Sequence, residues 1–322
     1  MKAVRVTKYG GPEAMEYEDI DIPSPGEHDA LVKIAASGVN YIDTYQRSGL
    51  YQIPIPATLG LEAAGIVEAT GANVAKFKPG DRVAYTSVPG AYAEYAVVPE
   101  EKLVSLPEEV SFNEGAAAML QGCTAHYLCR STYPVKKGDR CLVHATAGGV
   151  GLLLTQIIKN CGGFVIGTVS TEEKAILAKE AGADEVILYS QQDFKTEVQR
   201  ITGGEGVNVV YDSVGKATFE KSVDCLSRLG HMVLYGNASG QVTEFNPASL
   251  GQKGSLFLTR PTLFDYTADR ESLEWRTSDV FNWIADGNLK LRLEHFYPLS
   301  EVQTAHRDLE GRKTTGKVIL TP

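Results

Sequence analysis

No run of the 322-residue chain is apolar for long enough to cross a bilayer, which takes roughly 20 consecutive apolar residues. Basic clusters are equally scarce. Lys and Arg number 31 against 40 Asp and Glu, a formal charge of −9. Without a dense positive run, little is available to neutralise a phosphate backbone or an anionic headgroup, so neither nucleic acid nor membrane is an expected partner. Cysteine is sparse too: Cys123, Cys129, Cys141, Cys161 and Cys225 form an odd set with no C-x-x-C pair. That argues against disulfide staples and predicts reduced, mostly buried thiols. The opening residues Met1-Lys2-Ala3-Val4-Arg5-Val6 put charges where a secretion signal needs an apolar core, and a cytoplasmic location is expected.

What is present is the make-up of a folded protein, with 43% hydrophobic and 22% charged residues. The length exceeds the size at which a single core keeps growing, so two domains are expected. Short apolar stretches at 3–6, 30–34, 63–67, 82–85 and 91–98 read as strands of a compact β-rich domain. Pro23-Ser24-Pro25-Gly26 and Lys78-Pro79-Gly80-Asp81 combine the fixed φ of proline with glycine's tolerance of positive φ, so the chain reverses there. From Arg140 onward the pattern changes to alternating strand and helix. Strands are expected at 141–144, 164–168, 185–188, 207–212, 231–235 and 255–259, with helices running to 160, over 171–180, around 194–201 and around 217–228. That alternation requires right-handed crossovers and a parallel sheet, and six strands complete a doubly wound Rossmann sheet. Near the end, Ser300-Glu301-Val302-Gln303 reads as a capping box and 317–320 as a closing strand that rejoins the first domain. The expected division is 1–122 with 264–322, and 123–263.

The first strand of that series runs into Ala145-Thr146-Ala147-Gly148-Gly149-Val150-Gly151 and then an apolar helix, the order a pyrophosphate site needs. Thr146 takes the first glycine position, Gly148 permits close approach of a pyrophosphate to backbone, and Gly151 lets the helix pack on the sheet. Glycines also mark plain turns, but this turn opens a six-strand series. A site for NAD usually carries a carboxylate at the end of the second strand, for the ribose 2′-hydroxyl. Here that strand ends Gly167-Thr168-Val169-Ser170. Ser170-Thr171-Glu172-Glu173 reads as a capping box that puts Lys174 in the first helical turn, where a 2′-phosphate is welcome. NADPH is the expected cofactor, although the same lysine also suits a solvated helix face. Tyr189, after the third strand, is placed to cover an adenine or to pack as a core ring.

Ser37-Gly38-Val39-Asn40-Tyr41-Ile42-Asp43-Thr44-Tyr45, Gly60-Leu61-Glu62-Ala63-Ala64-Gly65, Gly80-Asp81-Arg82-Val83, the glycine turn and Tyr211-Asp212-Ser213-Val214-Gly215 together resemble the quinone oxidoreductase (zeta-crystallin-like) family of zinc-free medium-chain dehydrogenases/reductases. The resemblance covers nearly the whole chain. It implies a GroES-like β-rich catalytic domain beside the Rossmann domain, an α/β protein overall. In the similar zinc alcohol dehydrogenases, a cysteine ligand stands where this chain has Asn40 and a histidine where it has Leu61. The lobe of four cysteines is also missing, since Tyr85-Thr86-Ser87-Val88-Pro89-Gly90 leads directly to Ala91. No metal is expected, and with it goes the Lewis acid that alcohol oxidation uses.

A quinone or enone needs less help, because conjugation spreads the charge left by reduction and a positioned hydrogen-bond donor suffices. The resemblance puts Asn40 beside the nicotinamide and implies cofactor contacts from Thr124, from Ser213 and from Lys317, while Asn237 and Ser239 follow the fifth strand, at the carboxyl edge of the sheet where cofactors lie. Tyr45 and Arg47 are candidate donors to a substrate oxygen. For each of these a plain structural role stands beside the functional one: an ion pair for Arg47, packing for Tyr45, a helix N-cap for Thr124, a turn for Asn237 and Ser239, an exposed strand lysine for Lys317. The expected activity is an NADPH:quinone oxidoreductase. An alkenal or enone C=C reductase is the alternative within enzymes, and a non-catalytic crystallin or RNA-binding protein the alternative outside them. The sixth strand would leave an open sheet edge, so a homodimer is expected.

Overall fold

Apolar β-branched runs such as Phe164–Val169 and Val207–Asp212 are buried along almost their whole length, as strands covered on both faces must be. In the computed structural model, which describes residues 1–322, they belong to a six-stranded sheet. Its spatial order is Glu185–Leu188, Phe164–Val169, Arg140–Val143, Val207–Asp212, Leu226–Leu234, Phe257–Thr259, and every neighbouring pair is parallel. The strand order reverses between the first and fourth strands in sequence, which is where ligands lie at the carboxyl edge of doubly wound sheets. Leu142, Ile166, Val210 and Met232 from the strands meet Phe194, Val198, Phe219 and Val223 from the helices in one core.

This sheet belongs to one of two compact units, Thr124–Asp265; the other is Met1–Cys123 with Tyr266–Pro322.

In the other unit the long strand Asp29–Val39 is the organising element. It pairs antiparallel with Glu62–Thr70, with Tyr95–Pro99 over its first residues, and with the closing strand Lys317–Thr321 over Ser37–Val39. The seven-stranded sheet is completed by Leu293–Pro298, Arg82–Thr86 and Leu103–Ser105, and a three-stranded sheet of Lys2–Val6, Met15–Asp19 and Ala57–Thr58 accompanies it. Val32, Ala63, Val83 and Val98 form one apolar cluster, and Val4, Val39, Leu59, Val302 and Val318 another. The tail therefore rejoins the first unit by sheet pairing.

Several local expectations shift. The helix expected around 217–228 is only Phe219–Asp224, and the fifth strand begins at Leu226 with a slip in register between Val207 and Val209. The sixth strand starts at Phe257 instead of Ser255, because Gly254 and Ser255 both hold positive φ and cannot be extended. The helix after the second strand is capped by Thr171, whose hydroxyl accepts the Lys174 N–H, so Ser170 lies one residue outside it. Ser300 forms no capping box: it sits in the turn Leu299–Glu301, and Gln303 donates to the Met15 carbonyl.

Candidate active site

In the sheet unit, the strand Arg140–Val143 is joined to the helix Gly149–Asn160 by the glycine turn. The missing first glycine is accommodated in two ways. The left-handed backbone falls on Ala145, at φ 52°, while the Thr146 hydroxyl donates to the Val143 carbonyl at 2.8 Å and its N–H to the Thr168 carbonyl at 3.2 Å. Gly167 of the neighbouring strand makes room for that threonine, since a Cβ there would lie 2.6 Å from Thr146 Oγ1. Gly151 is equally constrained, 2.4 Å from the Ala145 carbonyl oxygen by the same construction. Gly148 is the helix N-cap and supplies no side chain to the first-turn N–H groups, so Gly149, Val150 and Gly151 present backbone donors and the positive end of the helix dipole. Ala147, just before them, is buried. That is the donor set a pyrophosphate requires.

At the end of the second strand, Ser170 and Tyr189 are brought together, the Tyr189 N–H bonding to the Val169 carbonyl and the Ser190 hydroxyl to the Ser170 carbonyl. Lys174 occupies the first turn of the following helix, with the exposed Glu172 and Glu173 before it. No carboxylate stands at the strand end itself. Tyr189 is 42% exposed, so its ring is only partly packed against the unit. After the fourth and fifth strands, the Ala238 and Ser239 N–H groups bond to the Ser213 and Val214 carbonyls. Gly236 is pressed against Ser213, where a Cβ would lie 2.4 Å from its carbonyl oxygen. Asn237 is buried beside them. The Ser239 hydroxyl is occupied internally, accepting from the Ala217 N–H and donating to the Val214 carbonyl. Beneath this edge a buried network joins three strand ends: His144 bridges Thr168 and Ser222 at 2.9 Å each, and Ser222 donates to Asp212. Burial lowers the His144 pKa and keeps the ring neutral. Thr124 lies inside the helix Phe112–Tyr127 rather than at its start, so the N-cap reading fails.

The other unit holds a buried polar cluster around Asn40, itself 4% exposed. Its Nδ2 donates to Glu62 Oε1 at 2.6 Å, and its Oδ1 accepts from Lys317 Nζ at 2.9 Å and Gln121 Nε2 at 3.3 Å. Lys317 also ion-pairs directly with Glu62 Oε1, while Glu62 Oε2 accepts the Leu120 N–H at 2.6 Å. A Cβ on Gly38 would fall within 2.6 Å of both charged groups, so this strand glycine is what leaves them space. Lys317 is therefore neither an exposed strand lysine nor free to extend toward a cofactor; burial pulls its pKa down while Glu62 opposes that shift. Its partner Glu62, and Gln121, are missing from the residues expected from the sequence, though Glu62 stood within the Gly60–Gly65 motif.

Beside it, Asp43 is sealed from water. Its Oδ2 accepts from the Asn40 N–H and the Tyr92 hydroxyl, and its Oδ1 has no partner. Burial raises this carboxyl to about 7. Tyr92 in turn reaches His306 Nε2 at 3.2 Å, and His306 Nδ1 meets Arg47 Nη1 at 3.0 Å. Arg47 is committed to Glu310 through both terminal nitrogens and to the Gly10 carbonyl through Nε. The Arg47 guanidinium, expected to face a substrate, is buried and ion-paired with the exposed carboxylate of Glu310. Tyr45 is half-buried on the same helix, its ring edge-on to Tyr51 with centroids 5.2 Å apart.

Residues 26–108 match the family described as alcohol dehydrogenase GroES-like domain, and residues 149–270 that of zinc-binding dehydrogenase. A quinone oxidoreductase of Pseudomonas aeruginosa is 47% identical over 100% of this chain and 99% of its own length. The crystal structure of the Escherichia coli quinone oxidoreductase complexed with NADPH superimposes with a TM-score of 0.98 and 44% identity, covering 100% of both chains. This chain belongs to the quinone oxidoreductase family. A 2-haloacrylate reductase from Burkholderia sp. is 40% identical over 99% of this chain and 98% of its own length. No group of three or more His, Cys, Asp or Glu side chains is placed to hold a metal ion.

The buried carboxyl makes a pH prediction. With Asp43 raised to about 7, the folded chain holds a proton that the unfolded chain has released above about pH 4. Its stabilising contribution is full below that value and is lost as pH rises through about 7. His306, lowered to about 3 by burial and Arg47, has the opposite slope, gaining as pH rises from there toward the ordinary histidine range. Asp43→Asn removes only the first. The unfolding free energy of the variant relative to wild type, from denaturant titrations at several pH values, should therefore shift in the variant's favour from about pH 4 to about pH 8. A pH-independent difference contradicts the assignment.

Proposed function

We propose that this protein is an NADPH-dependent quinone reductase that works without a metal. The observation that carries the reading is the pairing of an uncapped glycine-turn helix start with a second-strand end that has Lys174 nearby and no carboxylate, in a chain of the quinone oxidoreductase family. NADPH, when bound, supplies the reducing equivalents. The backbone N–H groups of Gly149, Val150 and Gly151 hold the pyrophosphate, Ala147 and Gly148 shape the turn around it, and Gly148 and Gly151 lack the Cβ that would crowd it. Ser170 and Lys174 would hold the 2′-phosphate, Tyr189 would serve the adenine, and Ser213, Asn237 and Thr124 the remainder. Ser239, with its hydroxyl used internally, contributes backbone only.

In the other unit Tyr45 donates a hydrogen bond to the acceptor's carbonyl oxygen, where negative charge collects on reduction. Asn40 and Lys317 act one step back. Their amide, ammonium and the Glu62 carboxylate are mutually satisfied, so they fix the start of the helix Tyr41–Ser48 that carries Tyr45. The similarity to a 2-haloacrylate reductase, whose named substrate has a C=C bond conjugated to a carboxylate, supports reduction of an activated alkene as the second reading. No helix is long and apolar enough to cross a membrane, and we place the protein in the cytoplasm.

The decisive assay follows loss of reduced-nicotinamide absorbance with chelator-treated protein and 1,4-benzoquinone, 9,10-phenanthrenequinone or a 2-alkenal. NADPH-selective turnover of a quinone is expected. Turnover of the alkenal alone establishes the second reading instead. Lys174→Ala should raise KM for NADPH about tenfold, roughly 1.4 kcal/mol of lost binding, with KM for NADH little changed. Equal effects on both cofactors remove the 2′-phosphate assignment.

The edge strand Phe257–Thr259 leaves Phe257 53% and Leu258 37% exposed, an apolar edge that a soluble chain has to cover. Pairing of this strand with its copy across a twofold axis gives a homodimer. Phe257→Lys should shift the sedimentation coefficient to that of a monomer, and an unchanged coefficient rejects the edge as the interface.

A further inference from the structure

Two thiols in the sheet unit stand outside every role assigned above. Cys129 lies in the π-helical turn Leu128–Thr132 that follows the helix Phe112–Tyr127, and Cys161 is the C-cap of the helix Gly149–Asn160. Their Sγ atoms are 3.9 Å apart, and about 2 Å of approach brings them to disulfide length. Cys129 is buried, whereas Cys161 is partly open to water, so a small oxidant reaches the second first. Arg130 places Nη1 3.9 Å from the Cys161 sulfur, a cation beside the sulfur that would carry negative charge.

We propose that Cys161 and Cys129 are a peroxide-sensitive dithiol, with Cys161 as the attacking sulfur and Cys129 as the resolving one. The polarity of the pair agrees with that order: the hydrogen bond from Cys129, then Arg130, against the opposing effect of burial, pulls the Cys161 thiol down to about 6, while the same hydrogen bond and burial push Cys129 up. The Cys161 thiolate attacks one oxygen of hydrogen peroxide, the O–O bond breaks, and hydroxide leaves a sulfenic acid on Cys161. The Cys129 sulfur then attacks the Cys161 sulfur. The S–O bond breaks, and the departing oxygen takes the Cys129 proton and leaves as water. In sum two thiols lose two hydrogens and the peroxide becomes two waters, the first hydroxide taking up the proton that Cys161 had released.

The site is remote from the phosphate turn. Gly149 and Cys161 mark opposite ends of one 12-residue helix, a separation of about 18 Å. Cys141 is within electrostatic reach of Cys161, but its thiol is turned to the Asp139 carbonyl at 4.0 Å, whereas the sulfur at 3.9 Å from Cys161 is that of Cys129. The bond would staple the end of this helix to the turn 32 residues earlier.

The test is non-reducing peptide mapping by mass spectrometry of the full chain after treatment with hydrogen peroxide. Wild type should lose two of its five thiols and two hydrogens in mass, yield one linked peptide pair containing Cys129 and Cys161, and recover fully with dithiothreitol. Cys129→Ser should halt at a sulfenic acid on Cys161 that dimedone traps, Cys161→Ser should leave Cys129 reduced, and Cys141→Ser should behave as wild type. Retention of all five thiols in wild type, a link through Cys141, or oxygen addition at Cys161 with no link overturns the proposal, and the wild-type map decides it even if a variant folds poorly.

Discussion

Glu62 and Lys317 are 255 residues apart in sequence and sealed from water together, their side chains 0% and 2% exposed. Removing two charges from water costs several kcal/mol per ion even after relaxation, and only close pairing with further hydrogen bonds offsets it. The surroundings meet that demand. Asn40 donates to the carboxylate and accepts from the ammonium, the Leu120 N–H serves the second carboxylate oxygen, and Gln121 completes the amide. Gly38 supplies the space. Four separated segments, around 38–40, 62, 120–121 and 317, are thereby bound to one another. The closing strand Lys317–Thr321 is fixed on Asp29–Val39 in the same stroke, and the helix that presents Tyr45 begins at Asn40.

The comparison with zinc alcohol dehydrogenases gains a physical meaning from this cluster. Where those proteins place a cysteine and a histidine around a dication, the family member described here places Asn40 and Leu61, and the neighbouring glutamate meets a lysine ammonium. An ammonium balances the carboxylate but polarises no substrate oxygen when it is fully enclosed. On the proposed reading, activation is positional and hydrogen-bonded, which suits an acceptor whose conjugation already stabilises added electrons.

The periodic and the local were legible in the sequence. Six strands and their order of appearance followed from apolar runs separated by helical stretches, and the glycine turn was recognisable from its place after the first strand. The substitution of Thr146 for a glycine was visible, but its compensation by Gly167 and by the left-handed Ala145 was not, since it depends on which strand lies alongside. The same limit explains Lys317 and Arg47. For each a ligand-facing role stood beside a structural one, and each proved to be held by a partner hundreds of residues away, Glu62 and Glu310, which the sequence could not name. Asp43, Tyr92 and His306 form a chain that no sequence spacing signals, because the three come from a helix, a loop and the final helix. The shift of the cap from Ser170 to Thr171 and the failed box at Ser300 have a nearer cause: adjacent residues offer equivalent hydroxyls or competing partners, and packing selects among them.

The measurement that tests this account most directly is a thermodynamic cycle on the buried pair, with Lys317→Met, Glu62→Gln and the double variant compared by denaturant unfolding. Each single change strands a buried polar group and should cost about 3–5 kcal/mol. The double variant should cost clearly less than their sum, because the two side chains answer each other. Costs that add to within about 0.5 kcal/mol would mean that the two charges are independent and that the cluster does not organise this unit.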